Sequence, residues 1–212
     1  MIVEHFPVGA LACNCTILGD EESGEAIVID GGDDVDAIFE RLSGHGLRAT
    51  ALVHTHAHFD HIGALADLRD RTGARGYLHP GDLPLYAQLN DQARWLGLAS
   101  GPLRTVAIDA ELGDGDVLRA GAVTLDVLHT PGHTPGSTSF AFDHGGKTRI
   151  LSGDTLFRGG VGRWDLGGTS LEDIVASIRE KLFAFDDATL VVPGHGPATT
   201  IGLERSTNPY LV

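Results

Sequence analysis

The chain has 212 residues, 42% of them hydrophobic and 21% charged, which is the composition of a globular protein with a sizeable core and not of a disordered or fibrous one. Its 29 acidic and 15 basic side chains give a formal net charge of −14, a balance that repels phosphate backbones and anionic lipid and so excludes nucleic acid and membrane surfaces as expected partners. The N-terminus, Met1-Ile2-Val3-Glu4-His5, lacks the basic and apolar regions of a signal peptide, and no apolar run approaches the ~18 residues of a membrane span, so a cytoplasmic location is expected.

Cys13 and Cys15 stand one residue apart, which on a strand puts both on one face and leaves too short a loop for a relaxed disulfide. They read as plain strand cysteines without a redox or metal role. Strands are expected at Thr16 to Leu18 and Ala26 to Asp30, then a helix over Asp34 to Ser43 and a strand over Thr50 to Thr55. A helix over His61 to Thr72, a strand at Gly76 to Leu78 and a helix over Pro84 to Leu96 follow. The stretch Tyr86 to Leu103, with Trp95, is a candidate border of a pocket. Strands then come at Val117 to Leu118, Val123 to His129, Ser139 to Phe142 and Thr148 to Leu151. In the second of these, Val123, Leu125 and Val127 alternate with polar residues as in a half-buried strand. Leu171 to Phe185 keeps helical spacing at Leu171, Ile174, Val175, Ile178 and Leu182, with Thr169 or Ser170 as its cap, and Thr189 to Val192 is the last expected strand.

Two stretches of this order match. Ala26 to Gly32, a helix and Thr50 to His56 read strand, Asp, helix, strand, His, and so do Arg149 to Asp154, a helix and Thr189 to His195. The match implies two similar halves, each a sheet covered by helices, meeting sheet to sheet. No Pro/Ser-rich linker separates them, so residues 1–212 read as one domain.

The densest chemistry is Thr55-His56-Ala57-His58-Phe59-Asp60-His61, directly after an apolar strand and before an amphipathic helix. At a strand end His56 and His58 point the same way, and the turn into the helix brings Asp60 and His61 in from another direction. One short segment can thus face two adjacent metal ions, and a mixture of imidazole and carboxylate suits zinc, with iron and manganese also compatible. Three further apolar runs end in Gly and a ligand type: Leu128 to His133, Ile150 to Asp154 and Val191 to His195. The remaining histidines read as structural. His54 falls on the His56 face but deeper, His79 caps a short segment, His129 lies before a turn proline behind the ligands, and His5, His45 and His144 face solvent.

With these residues the sequence resembles the metallo-β-lactamase superfamily, in particular its glyoxalase II (hydroxyacylglutathione hydrolase) branch. The carrying segments are His56 to His61, Thr130-Pro131-Gly132-His133-Thr134-Pro135-Gly136-Ser137, Gly153-Asp154-Thr155-Leu156-Phe157 and Pro193-Gly194-His195-Gly196-Pro197. The resemblance implies an α/β (α+β) fold, a four-layer αββα sandwich with the metals at one edge between the sheets. It implies that His56, His58 and His133 hold a first divalent ion, that Asp60, His61 and His195 hold a second, and that Asp154 bridges them. A water shared by such ions loses a proton near neutral pH, with Asp60 as its orienting acceptor, and the resulting hydroxide attacks a carbonyl. The implied substrate is a small thiol ester of the S-lactoylglutathione type, whose thiolate leaving group needs little protonation.

Glyoxalase II proteins carry a C-terminal helical region that contacts glutathione, whereas this sequence stops at Asn208-Pro209-Tyr210-Leu211-Val212. It also has Asp165, in Gly162-Arg163-Trp164-Asp165, where a glutathione-contacting tyrosine is expected. It therefore looks like the short, single-domain relatives. Arg163 is the candidate for a substrate carboxylate, against the alternative that it pairs with Asp165. Rival activities on the same site are a mono-iron persulfide dioxygenase, using His56, His133 and Asp154, and a lactonase or β-lactamase.

Overall fold

The computed structural model describes residues 1–95, 97, 102–165 and 168–212. One six-stranded sheet holds β1 (Ile2–Val8), β2 (Cys13–Gly19), β3 (Glu25–Ile29), β4 (Arg48–Val53), β5 (Arg75–Leu78) and β6 (Ala110–Glu111) in that spatial order. The chain continues through β7 (Val117–Ala120), β8 (Val123–His129), β9 (Thr138–Asp143) and β10 (Thr148–Gly153), then a small hairpin of β11 (Leu156–Phe157) and β12 (Gly160–Val161). With β13 (Leu190–Pro193) and β14 (Thr199–Thr200), the second six-stranded sheet runs β14-β13-β10-β9-β8-β7.

Each half contains a matching βαβ unit with parallel strands, and the first sheet continues in parallel through β5 and β6. β3 and β4 flank α1 (Val35–Gly44), and β10 and β13 flank a later helix, as the internal match implies. Alternation along the strands divides the apolar residues into three layers. Leu18, Ile27, Ile29 and Val53 of the first sheet meet Leu125, Val127, Phe140 and Leu151 of the second, so the sheets pack face to face. On the other face of the first sheet, Cys15, Ile17, Val28 and Leu52 pack under Ile38 and Leu42 of α1 and under Leu65 and Leu68. Beyond the second sheet, Ile150 and Val191 pack under Ile174, Ile178 and Leu182. The result is the four-layer αββα sandwich.

The helices differ from their sequence expectation where tertiary contact intervenes. The single helix expected over His61 to Thr72 is two, α2 (Phe59–Ile62) and α3 (Leu65–Thr72). The break falls just after Gly63, at Ala64 with φ −92 and ψ 6, and a Cβ at Gly63 would crowd the Phe59 and Gly32 carbonyl oxygens. Pro84 to Leu96 likewise divides into α4 (Leu83–Tyr86) and α5 (Leu89–Trp95), with Leu96 outside the described residues. Ser170 is the cap of α6 (Leu171–Ser177) and shares a capping box with Asp173, after which Ile178–Leu182 winds as a π-helix. A final helix, α7 (Ile201–Thr207), and edge strand β1 have no counterpart in the sequence reading. No helix among the described residues is long and apolar enough to cross a membrane.

Candidate metal centre

The segment after β4, the β8–β9 loop, the end of β10 and the end of β13 deliver all seven sequence-derived ligand candidates to one place. His56 Nε2 lies 3.0 Å from His58 Nδ1, and His133 Nε2 lies 2.9 Å from that same atom. Beside this trio, His61 Nε2 and His195 Nε2 are 3.1 Å apart, and His195 Nε2 is 3.1 Å from Asp60 Oδ2. Asp154 reaches both groups, with Oδ1 3.5 Å from His61 Nε2 and Oδ2 3.6 Å from His133 Nε2. Gly194 makes this approach possible, because a Cβ there would stand 2.2 Å from Asp154 Oδ1 and 2.7 Å from the His61 ring.

The opposite ring nitrogens settle which atoms point inward. His133 Nδ1 donates to the Arg163 carbonyl at 2.7 Å and His195 Nδ1 to the Leu11 carbonyl at 3.0 Å. His61 Nδ1 donates to Asp30 Oδ2 at 3.0 Å, and Cys13 Sγ lies 3.4 Å from it. Thr55 Oγ1 gives its proton to Asp30 at 2.7 Å and can accept from His56 Nδ1 at 3.0 Å. Each of these contacts puts a proton on the outer nitrogen and leaves a lone pair facing the centre. Lone pairs 3.1 Å apart repel unless a cation sits between them. Asp154 Oδ1 is moreover buried without a hydrogen-bond partner. The donor set therefore fits divalent cations: the ligand atoms of His56, His58 and His133 converge, as do those of His56, His61 and Asp154 and those of Cys13, His61 and His195, with Asp60 3.1 Å from His195.

The backbone between the ligands is clamped from behind. Asp82, fully buried, accepts from Ala57 N at 2.9 Å, Thr134 Oγ1 at 2.8 Å and Gly136 N at 2.6 Å, joining the two ligand loops. Gln92 of α5 accepts from Phe59 N at 3.1 Å and donates to the Ala57 carbonyl at 3.1 Å. The sequence reading passed over Asp30, Asp82 and Gln92. For Asp30 a signal existed, since the internal match sets it opposite Asp154. Asp82 and Gln92 have none, because their role appears only when distant loops meet.

Cys13 and Cys15 are free thiols buried on β2, as expected, but Cys13 is not the bystander it was taken for: it touches His61. His54 stands behind the ligands, its Nδ1 3.0 Å from the His61 carbonyl, and His79 caps its short turn by accepting from Gly81 N. His129 contacts no ligand ring; it stacks on His79 at 4.0 Å and bonds the Pro135 carbonyl. The Arg163 guanidinium lies on Asp165 at 2.9 Å on the open rim.

Burial, reinforced by the neighbouring imidazoles, holds His56 well below the usual imidazole range and takes His58 down to about 3. Burial likewise lowers His54 and His79 to about 4. His61 moves the other way, since Cys13, Asp154 and Asp30 outweigh its burial. An unfolded histidine titrates near 6.5, so between that pH and about 4 the unfolded chain binds more protons than the folded one, and stability falls with pH. His61 and His195, both raised, do not contribute to this loss. Calorimetry on metal-free protein should therefore show a Tm that declines steadily from pH 6.5 to 4; a constant Tm would mean that these imidazoles are solvated.

A family model described as the metallo-beta-lactamase superfamily matches residues 8–195. The chain belongs to the metallo-β-lactamase superfamily. It is thus a metallo-hydrolase of a superfamily whose members bind divalent metal ions. It is 36% identical to hydroxyacylglutathione hydrolase GloC of Haemophilus influenzae, over 100% of this chain and 98% of that protein. Among solved structures it is similar to the BLEG-1 B3 metallo-β-lactamase, with a TM-score of 0.88, 36% identity and 99% of each chain covered. It is also similar to TTHA1623 in a di-iron-bound form, with a TM-score of 0.84 and 40% identity over 97% of this chain and 98% of the other.

Proposed function

We propose that this superfamily member hydrolyses thioesters of the S-lactoylglutathione type. His56, His58 and His133 would hold one divalent ion and Asp60, His61 and His195 a second, with Asp154 shared. The observation that carries the reading is the set of inward lone pairs, His61 Nε2 facing His195 Nε2 at 3.1 Å, in a chain that aligns end to end with a hydroxyacylglutathione hydrolase. Zinc, iron and manganese all suit this donor set, and the di-iron form of TTHA1623 favours testing iron beside zinc.

Bound ions of this kind acidify a water and polarise a carbonyl, which is the chemistry a thioester needs. The chain's own groups prepare for that chemistry. Asp60, ionised with a pKa of about 2 although burial opposes the charge, can accept a hydrogen bond from the attacking water and so fix its direction. Asp30, the Leu11 carbonyl and the Arg163 carbonyl hold three imidazoles with their lone pairs inward. A thiol has a pKa near 8.5, so the thiolate leaves without a general acid, and none is needed from the protein. Arg163 can leave Asp165 for a substrate carboxylate at small cost, because the ion pair is solvent-exposed.

The test is hydrolysis of S-D-lactoylglutathione by protein loaded separately with zinc, iron and manganese, followed by loss of thioester absorbance. A kcat/KM above about 10⁴ M⁻¹s⁻¹ is expected for at least one metal. A rate far below that with every metal rejects the substrate. The likeness to BLEG-1 supports a second reading, β-lactam hydrolysis on the same residues, and a chromogenic cephalosporin assayed in parallel separates the two.

A further inference from the structure

Beside Asp60 the surface opens into a cavity of about 170 Å³ that the ligand geometry does not use. One side of it is apolar, made by Leu11 from the loop after β1, Val35 at the start of α1, Phe59 of α2, Ala64 before α3, Ala93 of α5, and Leu103; the rest is polar and open to solvent. Among the described residues, no Lys, Arg or His lines it. Asp33 and Asp67 stand in its wall, Asp67 paired with Arg104 at 2.6 Å and Asp33 accepting from Asp34 N at 2.8 Å. Asp33 gives this wall a negative edge that disfavours carboxylates and phosphates, while Arg104 balances the charge of Asp67.

We propose that this cavity receives the acyl group of the substrate, and that this group is an uncharged aliphatic chain of about four to six carbons. The inference rests on the thioester reading above and names which arm of the thioester goes where. Small carrier thiols bear carboxylates or phosphates, so the negative wall turns the carrier away. Arg163, whose carbonyl braces His133 and which does not line this cavity, is the group that would meet such an anion. The acyl arm is left for the Asp60 side. Its size follows from the volume, since an apolar cavity of about 150 Å³ holds a benzene ring of six carbons. A lactoyl group, with two carbons and a hydroxyl beyond its carbonyl, underfills the space. Each methylene added inside an apolar pocket should raise kcat/KM by about 3- to 4-fold until the cavity is full.

The experiment uses glutathione thioesters of acetyl, lactoyl, butyryl, hexanoyl and decanoyl groups with the metal-loaded enzyme. The expected profile climbs from acetyl to hexanoyl and falls at decanoyl. Ala93→Leu and Ala64→Leu, which fill the cavity, should cut the hexanoyl-to-acetyl ratio at least tenfold, and Leu103→Ala, which enlarges it, should move the optimum to a longer chain. A flat profile, or ratios unmoved in folded variants, overturns the assignment. If no thioester of any length is cleaved, the thioester reading itself fails. The cavity is then judged without metal by NMR of alanine methyl groups: hexanamide should shift Ala64 and Ala93, and unshifted methyls overturn its role as an aliphatic site.

Discussion

Asp154→Ala is expected to release both ions and to lower kcat/KM by roughly 10³-fold or more, the scale of losing several kcal/mol of charge stabilisation. The carboxylate spans the two groups, with Oδ1 toward His61 and Oδ2 toward His133, so its removal takes one donor from each. Its buried Oδ1 makes no hydrogen bond in the folded chain, so alanine leaves no polar protein group stranded on that side. The fold should therefore survive, and metal content measured by mass spectrometry should fall from two ions to fewer than one. Full occupancy of both sites in Asp154→Ala would defeat the shared-carboxylate assignment. Activity lost with metal retained would place Asp154 on the substrate instead.

Asp30→Asn should weaken metal affinity and activity together, each by about 10- to 100-fold, the usual cost of losing a group that orients a metal-binding histidine. Asp30 is tied to both halves of the site, directly to His61 and through Thr55 to His56. Asparagine is the informative replacement because Asp30 has φ +53, a left-handed conformation that Asn tolerates and Ala does not. The amide keeps the shape but removes the charge that holds the His61 Nδ1 proton. Competition titration with a zinc chelator reads the affinity. An unchanged affinity would mean that packing alone orients the two rings.

Much of the sandwich was legible because its signals are local. Val123 to His129 alternates and is a strand with those same ends, and the matched strand-Asp-helix-strand stretches are the parallel βαβ units of the two sheets. Edge strand β1 escaped because Pro7 and charged residues interrupt it, which an edge tolerates and a sequence pattern penalises. The single helix expected through Gly63 is interrupted at Ala64, which no residue pattern in that stretch marks. The same division runs through the site. His56, His58, Asp60 and His61 announce themselves by density within six residues, and His133, Asp154 and His195 by their glycine-preceded strand ends. Cys13, Asp82 and Gln92 act on these residues from segments far away in sequence, where a thiol, a carboxylate or an amide looks like any other.

The matched halves also bear on the order in which the molecule comes together. Each βαβ unit closes over a short stretch of chain, whereas the bond from His195 to the Leu11 carbonyl joins groups 184 positions apart, and Asn14 bonds the Pro193 carbonyl across 179. Contacts this distant carry the largest loop-closure cost and are made late, after the local units exist to reward them. With four candidate ligands on one half and three on the other, the centre is complete only once the halves have docked. A cation that grips such a late-formed place stabilises contacts absent from the transition state. Its effect falls on how slowly the finished protein comes apart, and hardly at all on how fast it assembles.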